Sequence, residues 1–164
     1  MLVYLALGSN LGERELHLKS AISGLCSHDV KIIRCASIYS TEPKEVLSQP
    51  WFLNTAVEGN TSLDPAALLR ACIAVEETNS RKRTISKGPR TLDIDIIFYG
   101  NEIVRKPGLV IPHPHFFKRR FVLEPLAEIA ADFVDPRSHK TVRQLLEDTP
   151  DVAQVHRIGA PLLL

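Results

Sequence analysis

Two aspartates stand two residues apart, Asp93 and Asp95, inside the otherwise apolar run LDIDIIFY over residues 92–99. On a strand, residues at that spacing share a face, with Cα atoms about 7 Å apart. Leu92, Ile94 and Ile96 then point to the opposite side, toward a core. Aspartate is depleted in strands, and two like charges on one face repel unless a cation joins them. A hard divalent ion such as Mg²⁺ answers that need, with substrate phosphates completing its shell. An exposed strand face matched by Lys or Arg answers it equally well, and spacing alone does not choose between the two.

The preceding segment leans toward the metal. Arg81, Lys82, Arg83, Lys87 and Arg90 fall just before the aspartates. Guanidinium forks match phosphate oxygens, and a phosphate clamp needs several of them. A basic loop running into an acidic strand, cations for phosphate and carboxylates for metal, is what a magnesium–nucleotide site looks like in sequence. The bland alternative is a solvated charged loop. A loop this polar is also a candidate lid.

Other segments are less specific. Gly8–Gly12 has no Lys-Ser/Thr ending and is neither a P-loop nor a dinucleotide fingerprint, so it reads as a strand-to-helix turn. His113 and His115 have no Cys or third His at zinc spacing. A hydrogen bond to phosphate or ribose suits them, and so does a structural role. Phe52, Asn54 and Phe121 combine flat apolar surface with an amide, which suits a planar heterocycle. Taken singly, each aromatic is equally a core residue.

These residues need elements to position them. Residues 2–7 read as a buried strand, 13–25 as a helix with Leu16, Ala21, Ile22 and Leu25 on its apolar face, and 31–39 as a strand. Residues 40–50 read as a loop and 52–58 as a strand. Asp64-Pro65 opens a helix to about Thr78. Strand 92–99 follows, closed by Gly100-Asn101, and short helices cover 121–130 and 142–147. The order is α+β: a ferredoxin-like βαββαβ core, helices packed on a largely antiparallel sheet, with an irregular C-terminal extension.

The 164 residues suit a single domain, 1–164. Hydrophobic residues at 45% and charged residues at 24% are ordinary for a folded chain, which argues against disorder and a coiled coil. A net charge of +1 is too small for a polyanion binder as a whole, so phosphate chemistry must rest on a local cluster. Cys26, Cys35 and Cys72 fit neither a zinc site nor a disulfide framework and read as small apolar fillers of a reduced compartment. No segment looks like a signal peptide or a membrane span. The expectation is a cytoplasmic enzyme.

With those residues in place, the chain resembles the 6-hydroxymethyl-7,8-dihydropterin pyrophosphokinases. The resemblance runs through ALGSNLG at 6–12, YSTEP at 39–43, QPWFLNTAV at 49–57, GPRTLDID at 88–95, IPHP at 111–114 and RRFVLEPLAEIA at 119–130. It implies diphosphate transfer from ATP to the hydroxymethyl group of 6-hydroxymethyl-7,8-dihydropterin, with release of AMP, in folate synthesis. Asp93 and Asp95 would hold two Mg²⁺ ions. Arg81, Arg83 and Arg90 resemble the phosphate-binding arginines. Glu76, Ile96, His113 and Arg119 resemble further nucleotide positions. Thr41, Pro43, Phe52, Asn54 and Phe121 resemble the pterin pocket, with Phe52 and Phe121 on either side of the ring and Asn54 at its amide edge. A monomer is the family-based expectation. Two departures stand out: Lys87 occupies the place of a common Trp, and Phe52 that of a common Tyr.

Two other classes compete. An RNA-binding sheet would need a basic, aromatic face, whereas only 6% of residues are aromatic and the acidic strand would repel phosphate. A metal-dependent nuclease or phosphatase could use the aspartates but leaves the pterin-like pocket unexplained.

Overall fold

The computed structural model describes residues 1–43, 48–79 and 91–162. Strand β1 (Leu2–Ser9) leads to helix α1 (Arg14–Ser27), then to β2 (Val30–Cys35), β3 (Ile38–Thr41) and β4 (Phe52–Thr61). Helix α2 (Pro65–Thr78) precedes β5 (Asp93–Tyr99), and a hairpin, β6 (Val104–Lys106) and β7 (Leu109–Ile111), follows. A 3-10 turn (Phe116–Lys118), α3 (Arg120–Ala130), α4 (Val142–Asp148) and β8 (Val155–Gly159) complete the chain.

The main sheet runs β5-β1-β4-β3-β8, with β2 also paired to β4, and its pairings are antiparallel. This is the expected ferredoxin-like arrangement with its second strand split in two. A single strand over 31–39 is thus corrected to β2 and β3. The break falls at Ala36-Ser37. Ala36 still donates to Ala56 O at 2.8 Å, but the Ser37 amide and hydroxyl turn to the Glu128 carboxylate of α3. A side chain on a helix has taken over a bond that would otherwise continue the ladder. The irregular tail is corrected too, since β8 pairs with the outer edge of β3. Its residues are exposed or half-buried, so no apolar alternation announces it.

Local chemistry explains the helices. Asp64 accepts the Ala67 amide at 2.8 Å and Pro65 occupies the first helical turn, so α2 begins where a cap and proline predict. In α1 the buried stripe is Leu18, Ala21, Ile22 and Leu25, the i, i+3, i+4, i+7 pattern. Leu16, expected on that face, is 60% exposed. It precedes Leu18 by two residues and lies about 200° around the helix.

The sheet is covered on both faces. Val3, Leu5, Leu7, Val57, Ile94 and Ile96 form one core with α1 and α2. Tyr4, Ala56, Ile97, Phe98 and Phe116 form the other with α3 and α4. A register shift opposite Tyr4/Leu5 lets both Ile97 and Phe98 join the second core. Cys35 and Cys72 are buried fillers as expected, and burial pushes their thiols up to about 11 and about 12. Cys26 is exposed, contrary to that expectation.

Candidate active site

The register places the candidate residues on one face, the one covered by α3. Asp93 lies opposite Gly8 and Asp95 opposite Ala6. On the other side of β1, Gly8 lies opposite Asn54 and Ala6 opposite Ala56. Asn54 in turn lies opposite Tyr39, and Phe52 opposite Thr41. Directly opposed residues share a face, so Asp93, Gly8, Asn54 and Tyr39 form a row across four strands. Neighbouring strands are about 4.8 Å apart, which puts the acidic end of the row about 10 Å from the amide.

Gly8 is the low point of that row. A Cβ there would come within 2.5 Å of Asn54 Oδ1 and 3.7 Å of Phe52 Cδ2. Only a residue without a side chain lets the amide lie across the strand. The turn reading of Gly8–Gly12 therefore missed a role inside β1. Asn54 is oriented by its donation to Thr41 Oγ1 at 2.6 Å, with both residues buried. That bond commits the Nδ2 atom, so Oδ1 is the amide atom turned toward Gly8. Phe52 is half-buried and Pro43 buried at the same end.

The acidic end is braced from behind. Glu76, buried near the end of α2, accepts the Ile94 amide at 2.8 Å, between the two aspartates in sequence. Among the described residues β5 is an edge strand, and this carboxylate accepts an N–H that has no strand partner there. Ile96 is 6% exposed and packs in the core shared with α1 and α2, so its side chain is on the far side of the sheet from the aspartates.

His113 donates its backbone N–H to Ile97 O at 3.2 Å, and its Nδ1 accepts the His115 amide at 3.1 Å. In the neutral ring the proton therefore sits on Nε2. Burial, then the Arg119 and His115 charges, push its pKa down to about 4, with Asp93 pulling the other way. At neutral pH it is an uncharged N–H donor. Arg119 lies 5.8 Å from the Phe121 ring at the start of α3, which links the cationic and aromatic candidates. His115 is exposed. Arg81, Arg83, Lys87 and Arg90 lie outside the described residues.

The two aspartates offer hard oxygen donors, and the residues opposite them on β1, Gly8 and Ala6, carry no side chain or only a methyl group. Among the described residues no cluster of three His, Cys, Asp or Glu is placed around a metal-sized space. A Mg²⁺ ion held by the aspartates would draw the rest of its shell from phosphate and water, its usual habit.

Several supporting residues escaped the sequence reading. Asn10 donates to Gln49 Oε1 at 2.7 Å and to Pro50 O at 3.0 Å, and Arg14 donates to Trp51 O at 2.7 Å. The exit from β1 thus holds the approach to β4. Nothing in the local spacing signals this, since the partners are 37 to 40 residues apart.

The model of the family described as 7,8-dihydro-6-hydroxymethylpterin-pyrophosphokinase matches residues 4–131. The 2-amino-4-hydroxy-6-hydroxymethyldihydropteridine pyrophosphokinase of Bacillus subtilis is 43% identical over 129 residues, covering 78% of this chain and 77% of that protein. The protein of the same name from Synechocystis is 44% identical over 142 residues, covering 86% and 72%. The folic acid synthesis protein fol1 of Pneumocystis carinii is 37% identical over 149 residues, or 91% of this chain, but the chain spans only 20% of that longer relative. Among solved structures, wild-type HPPK-DHPS of Plasmodium falciparum with STZ-DHP superposes at a TM-score of 0.73 with 16% identity, covering 89% of this chain and 42% of that one, a likeness of fold. The chain belongs to the 7,8-dihydro-6-hydroxymethylpterin-pyrophosphokinase family, enzymes of folate synthesis that transfer diphosphate.

Proposed function

We propose that this chain transfers diphosphate from ATP to the hydroxymethyl group of 6-hydroxymethyl-7,8-dihydropterin and releases AMP. The observation that carries the reading is the row Asp93–Gly8–Asn54. It sets a metal-binding chemistry and a heterocycle-binding chemistry about two strand spacings apart on one face. That is the separation needed for a ring at one end to present a substituent to a phosphate chain at the other.

In this reading the ring lies between Phe52 and Phe121, with its amide edge on Asn54 and its outer edge toward Thr41 and Pro43. Gly8 leaves space beneath it. The hydroxymethyl oxygen attacks the β-phosphorus in line. The new O–P bond forms as the bond from the β-phosphorus to the bridging oxygen breaks, and that oxygen leaves with AMP. The hydroxyl proton passes to solvent or to a carboxylate. Asp93 and Asp95 would hold two Mg²⁺ ions, which when bound would neutralise charge on the phosphates and the leaving group. Neutral His113 donates from Nε2, and Arg119 supplies a full charge beside it. Arg81, Arg83 and Arg90 would clamp the triphosphate and exclude water and plain ATP hydrolysis. Glu76 and Ile96 act through the β5 backbone. The reading takes residues 1–164 as one cytoplasmic, monomeric domain. Positioning and charge neutralisation account for the rate, as in phosphoryl transfer generally.

The test is AMP release from ATP and Mg²⁺, with and without 6-hydroxymethyl-7,8-dihydropterin, with the pterin product identified by mass. AMP that depends on the pterin, together with a diphosphorylated pterin, is the expected result. ADP and phosphate, or no turnover, would overturn the reading.

A further inference from the structure

The segment after α4 lies beyond the residues matched by the family model, which end at 131. It nevertheless touches each element that carries the proposed pterin pocket. Asp151 Oδ2 accepts the Arg120 amide at 2.8 Å. Helix α3 has no capping side chain of its own at Arg119. Asp151 therefore supplies the cap from 31 residues away, at the helix end that carries Arg119 and Phe121.

Three residues on, Gln154 and Glu42 bond reciprocally. The Gln154 amide donates to Glu42 Oε1 at 2.8 Å, and the Glu42 amide donates to Gln154 O at 3.2 Å. Glu42 stands between Thr41 and Pro43. His156 then lies parallel to Trp51, with ring centroids 6.2 Å apart and planes 8° apart, and its Nε2 is 3.1 Å from Gln154 Oε1. Trp51 is the residue before Phe52. Its carbonyl accepts from Arg14 at 2.7 Å. The three tethers thus reach the Phe121 side of the pocket, the Thr41–Pro43 side and the Phe52 side.

We propose that residues 151–156 form a positioning strap for the pterin end of the site. Asp151 sets the start of α3 that carries Phe121, and the Trp51–His156 stack sets Phe52 opposite it. This rests on the reading of the site as a pyrophosphokinase centre. The strap residues touch no substrate. They act by fixing the gap between the two rings, so their loss weakens pterin binding more than it slows turnover at saturation.

The experiment uses the full chain with His156→Ala, His156→Phe and Asp151→Ala. KM for the pterin, KM for ATP, kcat and thermal melting are measured on each. His156→Ala is expected to raise the pterin KM about threefold to tenfold, the range an aromatic pair supports. The ATP KM and kcat stay within about twofold, and His156→Phe, which keeps the flat partner, restores the wild-type pterin KM. Asp151→Ala raises the pterin KM similarly, and also the ATP KM, because Arg119 sits on the same helix end. An unchanged pterin KM in both alanine variants overturns the strap. So does a rise in pterin KM that merely follows a general loss of folded protein on melting, or one that His156→Phe fails to correct. Absence of pterin-dependent AMP from the wild-type chain instead overturns the reading of the site, and the strap with it.

Discussion

The two faces of the sheet are built differently. Toward α1 and α2 the strands present a largely apolar surface, with Leu5 between Val57 and Ile96, Leu7 opposite Ile94, and Val3 beside them. Toward α3 and α4 the apolar surface covers only part of the strands. Phe98, Tyr4 and Ile97 pack at one end. Toward the other end the small residues Ala6, Ala56 and Gly8 give way to Asp93, Asp95, Asn54 and Thr41. One face thus sets strand register, because a one-residue slip would turn its apolar set to the wrong side. That register aligns polar residues from four strands on the other face. A site made this way is only as accurate as the core behind it.

The contrast can be broken most sharply at the acidic end. Asp95→Ala should lower turnover by about a thousandfold or more at saturating substrates, the scale of losing a main charge-stabilising group. Activity within tenfold of wild type would refute the metal-holding role. On the opposite face, Leu5→Ala should cost about 2–5 kcal/mol of stability in urea unfolding, because Leu5 is fully buried. The protein that remains folded should keep a near-normal pterin KM.

Gly8→Ala joins the two effects. Its new Cβ must push the Asn54 amide aside, at a cost of about 1–3 kcal/mol typical of overpacking. The pterin KM should rise while the ATP KM changes little, and equal changes in both would contradict the placement of Gly8 under the ring. The smallest expected effect is at His113. Its folded pKa, about 4, lies below the ordinary value of 6.5. Between those values the unfolded chain binds a proton that the native ring does not, so the native state loses stability as pH falls. His113→Gln should remove that part of the acid dependence, seen as a smaller drop in melting temperature between pH 6.5 and pH 4.

Most of the fold was legible because its signals are local. Asp64-Pro65 announces α2, apolar runs announce β1 and β5, and the Asp93/Asp95 spacing shows its shared face. What escaped was non-local. The split of β2 from β3 depends on Glu128 reaching Ser37 from 91 residues away. Strand β8 is drawn to an open sheet edge and has little apolar pattern of its own. Asn10, Arg14 and Asp151 act on backbone groups of distant segments, a bond type that any polar side chain can make and no spacing encodes. At Gly8 a turn was a sufficient local reason for glycine, which hid the role set by the neighbouring strand.

The claim that one row of the sheet carries both ends of the chemistry is tested most directly by a crystal structure with Mg²⁺, α,β-methylene ATP and 6-hydroxymethylpterin. The methylene group replaces the bridging oxygen at which the proposed reaction cleaves. The account predicts the pterin ring between Phe52 and Phe121 with its amide edge on Asn54, and metal on Asp93 and Asp95 beside the β-phosphate. A pterin bound away from Asn54, or metal bound without either aspartate, would contradict it.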